Sequence, residues 1–168
     1  MSVPETHPFA EVASPLRSAL ERRGFTSLTP VQEAVVGVDT EGHDLRITSQ
    51  TGSGKTVALG LAIAPSLLQA SQDAGPLALI LTPTRELAGQ VAQELGALYE
   101  DLAFEVQVVT GGTDPYQEKK RLKRRPAILV ATPGRLLDHA RGRAVDLSGV
   151  RHAVLDEADQ MLDMGFRD

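Results

Sequence analysis

The sequence predicts an α/β domain, a mostly parallel sheet with helices on both faces. Three observations carry that reading. Short continuous apolar runs alternate with longer stretches of helical period. The helical stretches tend to open on a Ser, Thr or Asp followed by Pro. One strand–helix junction is a glycine-rich loop ending in Lys-Thr. The apolar runs fall at residues 45–48, 77–82, 104–110, 127–131 and 150–156. Each is short and reads as a strand buried on both faces. Helices are expected at 55–70, 84–99, 115–123 and 133–141. Pro65 lies inside the first and should kink or shorten it. Residues 72–76 read as a loop. The pairs Ser14-Pro15, Thr29-Pro30, Thr82-Pro83, Asp114-Pro115 and Thr132-Pro133 each read as an N-cap followed by Pro at the first helical position.

Composition narrows the function classes. The chain has 168 residues, 42% hydrophobic and 23% charged, enough for one domain with a substantial core. It has no cysteine, which removes disulfides and thiolate metal sites. His7, His43, His139 and His152 share no metal-ligand spacing and read as surface or satisfied residues. Polar residues or glycine interrupt every candidate membrane span, and the first nine residues have no apolar signal-like stretch. These features suit a cytoplasmic protein. The net charge of −5 argues against a general nucleic-acid sponge, but phosphate contacts depend on local clusters. One such cluster, Lys119 to Arg125, reads as a solvated helix face.

Two motifs carry chemistry. The segment Ser49-Gln50-Thr51-Gly52-Ser53-Gly54-Lys55-Thr56 follows a predicted strand and opens a helix, the context a phosphate loop needs. Its glycines allow backbone N–H groups to turn around phosphates, Lys55 supplies a compact charge, and the Thr56 hydroxyl suits Mg²⁺. Ser49 stands where the general pattern begins with Gly. Downstream, Asp156-Glu157-Ala158-Asp159 places acids at the carboxyl end of a strand, the edge where open α/β sheets bind ligands. Asp156 is the second candidate Mg²⁺ partner, and Glu157 the candidate to orient or deprotonate an attacking water. The catalytic candidates are Glu157, Lys55 and Asp156.

That tetrad spells the name of a family, and the chain resembles a DEAD-box ATP-dependent RNA helicase over a series of motifs in family order. Residues 24–32, with Phe25 and Gln32, match the Q motif, although Leu28 stands where Pro is common. Pro83-Thr84-Arg85-Glu86-Leu87-Ala88 matches motif Ia, Gly111-Gly112 the glycine doublet, and Thr132-Pro133-Gly134-Arg135 motif Ib. Met161 to Phe166 is the usual sequel to the acidic tetrad, and Phe9 stands near the position of the family's upstream aromatic. The resemblance implies a RecA-like P-loop domain spanning residues 24–168, preceded by a 1–23 segment leading into the Q motif. It implies ATP and Mg²⁺ as cofactors, with Gln32 reading the adenine edge and Phe25 packing on the base. Thr29 and Gln32 also stand at capping-box spacing, so Gln32 has a second reading, tying down its own helix. The implied RNA contacts are Thr84, Arg85, Gly111, Gly112, Thr132 and Arg135. Their chemistry suits phosphate and ribose rather than base edges. Each has a capping or turn role as the alternative, and Arg85 could pair with Glu86.

The resemblance also sets expectations about what is absent. No Ser-Ala-Thr follows the acidic tetrad, and no second RecA-like lobe with its arginine finger follows either. The domain is therefore expected to be incomplete at its C-terminus, unable to unwind RNA alone, and unstable or aggregation-prone in isolation. No oligomer is expected. Two other readings stay open: an ATP- and RNA-binding module without turnover, and a DNA-directed ATPase of the same superfamily.

Overall fold

Four of the five apolar runs become strands. The computed structural model describes residues 7–39, 42–71 and 75–166. In chain order its elements are α1 (Ser14–Arg22), α2 (Pro30–Val35), α3 (Lys55–Gln69), β1 (Ala78–Leu81), α4 (Arg85–Leu98), β2 (Val106–Val109), α5 (Pro115–Leu122), β3 (Ile128–Ala131), α6 (Pro133–Arg141), β4 (His152–Leu155) and α7 (Ala158–Asp163). The sheet is wholly parallel, in the order β2-β3-β1-β4. The predicted strand at 45–48 is a correction. Residues 43–50 are irregular and mostly exposed, and no ladder pairs them among the described residues. A strand exists only when a neighbour takes its N–H and C=O groups, and apolar character cannot supply that neighbour. Among the described residues β4 pairs with β1 alone and forms one sheet edge, with Leu155 62% exposed.

The strand period sorts the core onto two faces. Ala78, Ile80, Ile128 and Val130 point into the larger cluster, packed with Val57, Leu61 and Leu67 of α3, Val91 and Leu95 of α4, and Leu16 and Leu20 of α1. Leu129, Ala131 and Val109 point the other way, against Leu122 of α5 and Leu136 of α6. Helices thus cover both faces, as the sequence predicts. The N-terminal segment joins the same core: Phe9 and Val12 are buried with α1, so Phe9 serves packing. Gly60 lets α3 and α4 close together, since a Cβ there would lie 2.5 Å from Leu98 Cδ2. The Tyr99 hydroxyl donates to the Gly60 carbonyl at 2.6 Å across that contact. Among the described residues, no helix is long and apolar enough to cross a membrane.

The helix starts refine the proline rule. Thr29, Asp114 and Thr132 are N-caps with Pro at the next position, as expected. Ser14 is already helical, and Ala13 precedes it as the cap. Thr82 is not a cap either. Its N–H donates to Ala131 O at 3.0 Å and prolongs the sheet, so α4 starts two residues later, where the Thr84 hydroxyl accepts from Leu87 N. α3 runs unbroken through Pro65 to Gln69, so the expected shortening does not occur. Of the predicted 72–76 loop, residues 72–74 lie outside the described residues.

Candidate functional site

Every candidate segment beyond the phosphate loop and the Q motif follows the carboxyl end of a strand. Thr82–Arg85 follows β1, Thr110–Thr113 follows β2, Thr132–Arg135 follows β3, and Asp156-Glu157 follows β4. A parallel sheet delivers all four to one edge. The edge divides: β4 carries the acids, while β1, β3 and β2 carry the residues the resemblance assigns to RNA.

The phosphate loop is built from its own turn and from the Q motif. Gly52 (φ 79°) and Gly54 (φ 86°) take the left-handed conformation that L side chains adopt only with strain. Ser53 N donates to Gln50 O, and the Ser49 and Ser53 hydroxyls share a 2.6 Å hydrogen bond. Ser49 thus holds the loop through a side chain that Gly would lack. The Thr29 hydroxyl donates to Ser53 O at 2.9 Å, and Gln32 Nε2 donates to Gly54 O at 3.3 Å. A Cβ on Gly54 would lie 2.3 Å from that amide nitrogen. Gln32 also accepts from Thr29 N at 3.0 Å, the reach-back of a capping box. The capping reading of Gln32 is therefore observed. Its amide caps α2 and touches the phosphate loop, and one N–H and one lone pair are left over. Gln32 is 0% exposed, so reading an adenine edge requires it to open. Phe25 is half-buried against the core, with the Arg23 guanidinium 5.3 Å above its ring.

Lys55, in the first turn of α3, donates from Nζ to Glu157 Oε1 at 3.2 Å. That contact joins the two motifs across 102 residues of chain. Glu157 reaches it from a left-handed backbone (φ 53°, ψ 49°) at the β4–α7 junction. A non-glycine residue held there is strained, and such strain concentrates at functional sites. Burial first, then the neighbouring Glu157 carboxylate, push Asp156 above the usual carboxylate range; Lys55 and a backbone hydrogen bond oppose them. A cation bound beside Asp156 would relieve that cost. Among the described residues no group of three or more His, Asp or Glu could cage a metal. The available donors, the Thr56 hydroxyl and the Asp156 carboxylate, fit a hard cation that keeps waters and takes other ligands from phosphate oxygens.

The other half of the edge also converges. Arg85 makes no ion pair with Glu86 or any other described acid. Its Nη1 lies 2.1 Å from where a Cβ of Gly112 would stand, so glycine there admits the guanidinium. Arg135 donates from Nε to Thr110 O at 3.2 Å and from Nη2 to Thr113 O at 2.6 Å. Two arginines therefore flank the glycine doublet. Among the described residues, the N–H groups of Gly111 and Gly112 donate to no other group, and the Thr132 hydroxyl makes no cap hydrogen bond. Thr84 is committed to capping α4, as its alternative reading expects.

Two residues here escape a reading by motif. Glu118, fully buried, accepts from Thr110 N and Thr113 Oγ and meets Arg135 and His139. Buried His139 is satisfied by that carboxylate at 2.7 Å. The sequence held a signal for both. Glu118 is four residues before buried Leu122 on α5, and His139 is four after Arg135 on α6, so each shares a helix face with a committed residue.

Comparison with known proteins agrees with this geometry. Residues 29–168 match the family model described as DEAD/DEAH box helicase. The chain is 46% identical over 150 residues to the ATP-dependent RNA helicase CshA of Listeria monocytogenes, covering 89% of this chain and 28% of that protein. It is 44% identical over 154 residues to the ATP-dependent RNA helicase DbpA of Escherichia coli, covering 89% of this chain and 32% of that one. Among solved structures, the yeast DEAD-box splicing factor Prp28 superposes with a TM-score of 0.86 at 31% identity, covering 94% of this chain and 39% of its own. The RNA-helicase Prp28 from Chaetomium thermophilum bound to ADP superposes with a TM-score of 0.83 at 35% identity, covering 98% and 40%. The chain thus spans about a third of the curated relatives it matches. With the motifs in order on a parallel sheet and the family model matching most of its length, this chain belongs to the DEAD/DEAH box helicase family.

Proposed function

We propose that this chain is the ATP-binding lobe of an ATP-dependent RNA helicase, coupling ATP binding and hydrolysis to RNA strand separation. The observation that carries the reading is the Lys55–Glu157 contact at 3.2 Å, which brings the phosphate-loop cation and the candidate catalytic carboxylate to one point. Lys55 would exchange Glu157 for the β- and γ-phosphates, freeing the carboxylate to orient the attacking water. Thr56 and Asp156 would hold Mg²⁺, which supplies charge neutralisation on the phosphates when bound. Residues 49–56 would cradle the phosphates, with Gln32 and Phe25 on the adenine side. Arg85, Arg135, Thr84, Thr132 and the glycine doublet would take the RNA backbone, a mode indifferent to base sequence. Contacts to 2′-hydroxyls would favour RNA over DNA. Residues 1–23 would lead into a domain at 24–168, and a second RecA-like lobe would supply the arginine finger. We place the protein in the cytoplasm, as a monomer.

Two variants of the full-length protein test the site. Lys55→Ala should abolish nucleotide binding, and unchanged ATP affinity would refute the phosphate-loop assignment. Glu157→Gln should keep ATP binding and block RNA-stimulated hydrolysis. Binding of ATP and RNA with no turnover in the wild type would instead identify a binding module, and equal stimulation by DNA would remove the RNA assignment.

A further inference from the structure

We propose that Glu118 is the positioning residue of the RNA-facing half of the site, setting the glycine-doublet loop and Arg135 in the geometry that receives an RNA strand. The proposal rests on the RNA reading above.

A fully buried carboxylate is costly unless its oxygens are paired. Glu118 is 0% exposed, and its partners come from two separate elements. Oε1 accepts from Thr110 N at 3.0 Å and from the Thr113 hydroxyl, both in the loop after β2. Oε2 accepts from His139 Nε2 at 2.7 Å and lies 3.1 Å from Arg135 Nε, both on α6. Arg135 closes the circuit through the carbonyls of Thr110 and Thr113. The four-residue loop is therefore clamped at both ends, with Gly111 and Gly112 between the clamps.

Packing alone does not require a charge here. An apolar residue of similar volume would fill the space but leave buried Thr110 N and His139 without their acceptor. The groups Glu118 holds are also selective. Thr110, Thr113 and Arg135 adjoin or belong to segments assigned to RNA, and none belongs to the phosphate loop or the acidic tetrad. Arg135 is 15% exposed at its side chain, so its guanidinium is largely committed to the clamp. What the clamp leaves free are the two glycine N–H groups, with Arg85 against Gly112. Losing Glu118 should therefore disorder the RNA contacts and leave the nucleotide half unchanged.

The test uses the full-length protein and a labelled single-stranded RNA, with RNA affinity, ATP affinity and melting temperature measured in parallel. Glu118→Ala should weaken RNA binding about tenfold, as expected when buried donors lose their acceptor. ATP affinity should stay within about twofold of wild type, less than one lost hydrogen bond would move it. Glu118→Gln should restore RNA affinity to within about threefold, because its carbonyl can accept from Thr110 and Thr113 and its amide can donate to His139 Nε2, while Arg135 keeps its bonds to Thr110 O and Thr113 O. Should Glu118→Ala fail to fold, Thr113→Val carries the test: it removes one clamp donor at an exposed position and should weaken RNA binding selectively. Wild-type RNA affinity in both Glu118→Ala and Thr113→Val, or a parallel loss of ATP and RNA affinity, overturns the proposal. An Arg85→Ala control separates the two levels. If it leaves RNA affinity unchanged, the RNA reading itself fails and takes this inference with it. If it weakens RNA binding while the Glu118 variants do not, only the positioning role is wrong.

Discussion

Gly54→Ala is the substitution whose effect follows most directly from the geometry. Gly54 combines a left-handed backbone (φ 86°) with a Cβ direction that runs into Gln32 Nε2 at 2.3 Å. The backbone alone costs an L residue about 1–2 kcal/mol. Relieving the clash means moving a fully buried amide off Gly54 O and Thr29 N, and a buried polar group left unpaired costs about 1–3 kcal/mol. The two together give roughly 2–5 kcal/mol, or about 5–20 °C in melting temperature for a domain of this size. Gly52→Ala separates the terms. Gly52 is also left-handed (φ 79°), but its Cβ would meet nothing within 4 Å, so it should lose only the backbone part. Thermal unfolding of both variants, with nucleotide affinity measured alongside, is the assay. Adding Gln32→Ala to Gly54→Ala should recover stability relative to the sum of the singles, with a coupling of about 1 kcal/mol or more. Equal melting temperatures for the two glycine variants, or strict additivity with Gln32→Ala, would refute the claim that Gln32 and the phosphate loop form one packed unit.

Three further outcomes follow from the same structure. Asp156 is held above its ordinary value of 3.8, so its contribution favours folding while it is protonated and is lost as pH rises through the raised value. Asp156→Asn should therefore raise the melting temperature at neutral pH, and that advantage should vanish in acid, where the wild-type group is neutral. Glu118 has the opposite sign. Burial alone would push it up, but hydrogen bonds from Thr113, His139 and Thr110 N, with the charge of Arg135, hold it below its ordinary 4.5. Its stabilisation is present above that value and is lost as pH falls through the lowered one, so Glu118→Gln should flatten the acid limb of a stability–pH curve. Leu155, 62% exposed on the edge strand β4, should promote association of the chain; Leu155→Lys should reduce it in light scattering at matched concentration.

The parts of the fold that were legible are those where local chemistry and tertiary partners agree. In sequence, residues 133–141 read as a helix from a cap, a proline and an apolar period, and α6 has those bounds because β3 delivers Thr132 to the sheet edge. Residues 45–48, Leu-Arg-Ile-Thr, read as a strand and form none, because a strand is a property of two segments and a single segment cannot declare its partner. Thr82 and Thr84 show the same limit at finer scale. Both precede a helical pattern, but Thr82 N is claimed by Ala131 O, so the cap moves to Thr84. Within the candidate site, the motifs are visible in the sequence, but the contacts between them are not. Nothing in local spacing joins Lys55 to Glu157, or Arg85 to Gly112.

Gln32 shows how one side chain can hold two segments at once. Capping-box spacing offers one role and the family resemblance another, and the structure shows the cap together with a contact to the phosphate loop. Its carbonyl ties the start of α2, and its Nε2 lies on Gly54. A helix cap that also rests on the phosphate loop cannot shift without disturbing both. Any ligand that draws Gln32 out of its buried position must therefore release Gly54 O and Thr29 N together. The start of α2 and the phosphate loop are thereby coupled through one side chain. The coupling is measurable as the non-additivity predicted for Gly54→Ala with Gln32→Ala, and it would be invisible in either single variant.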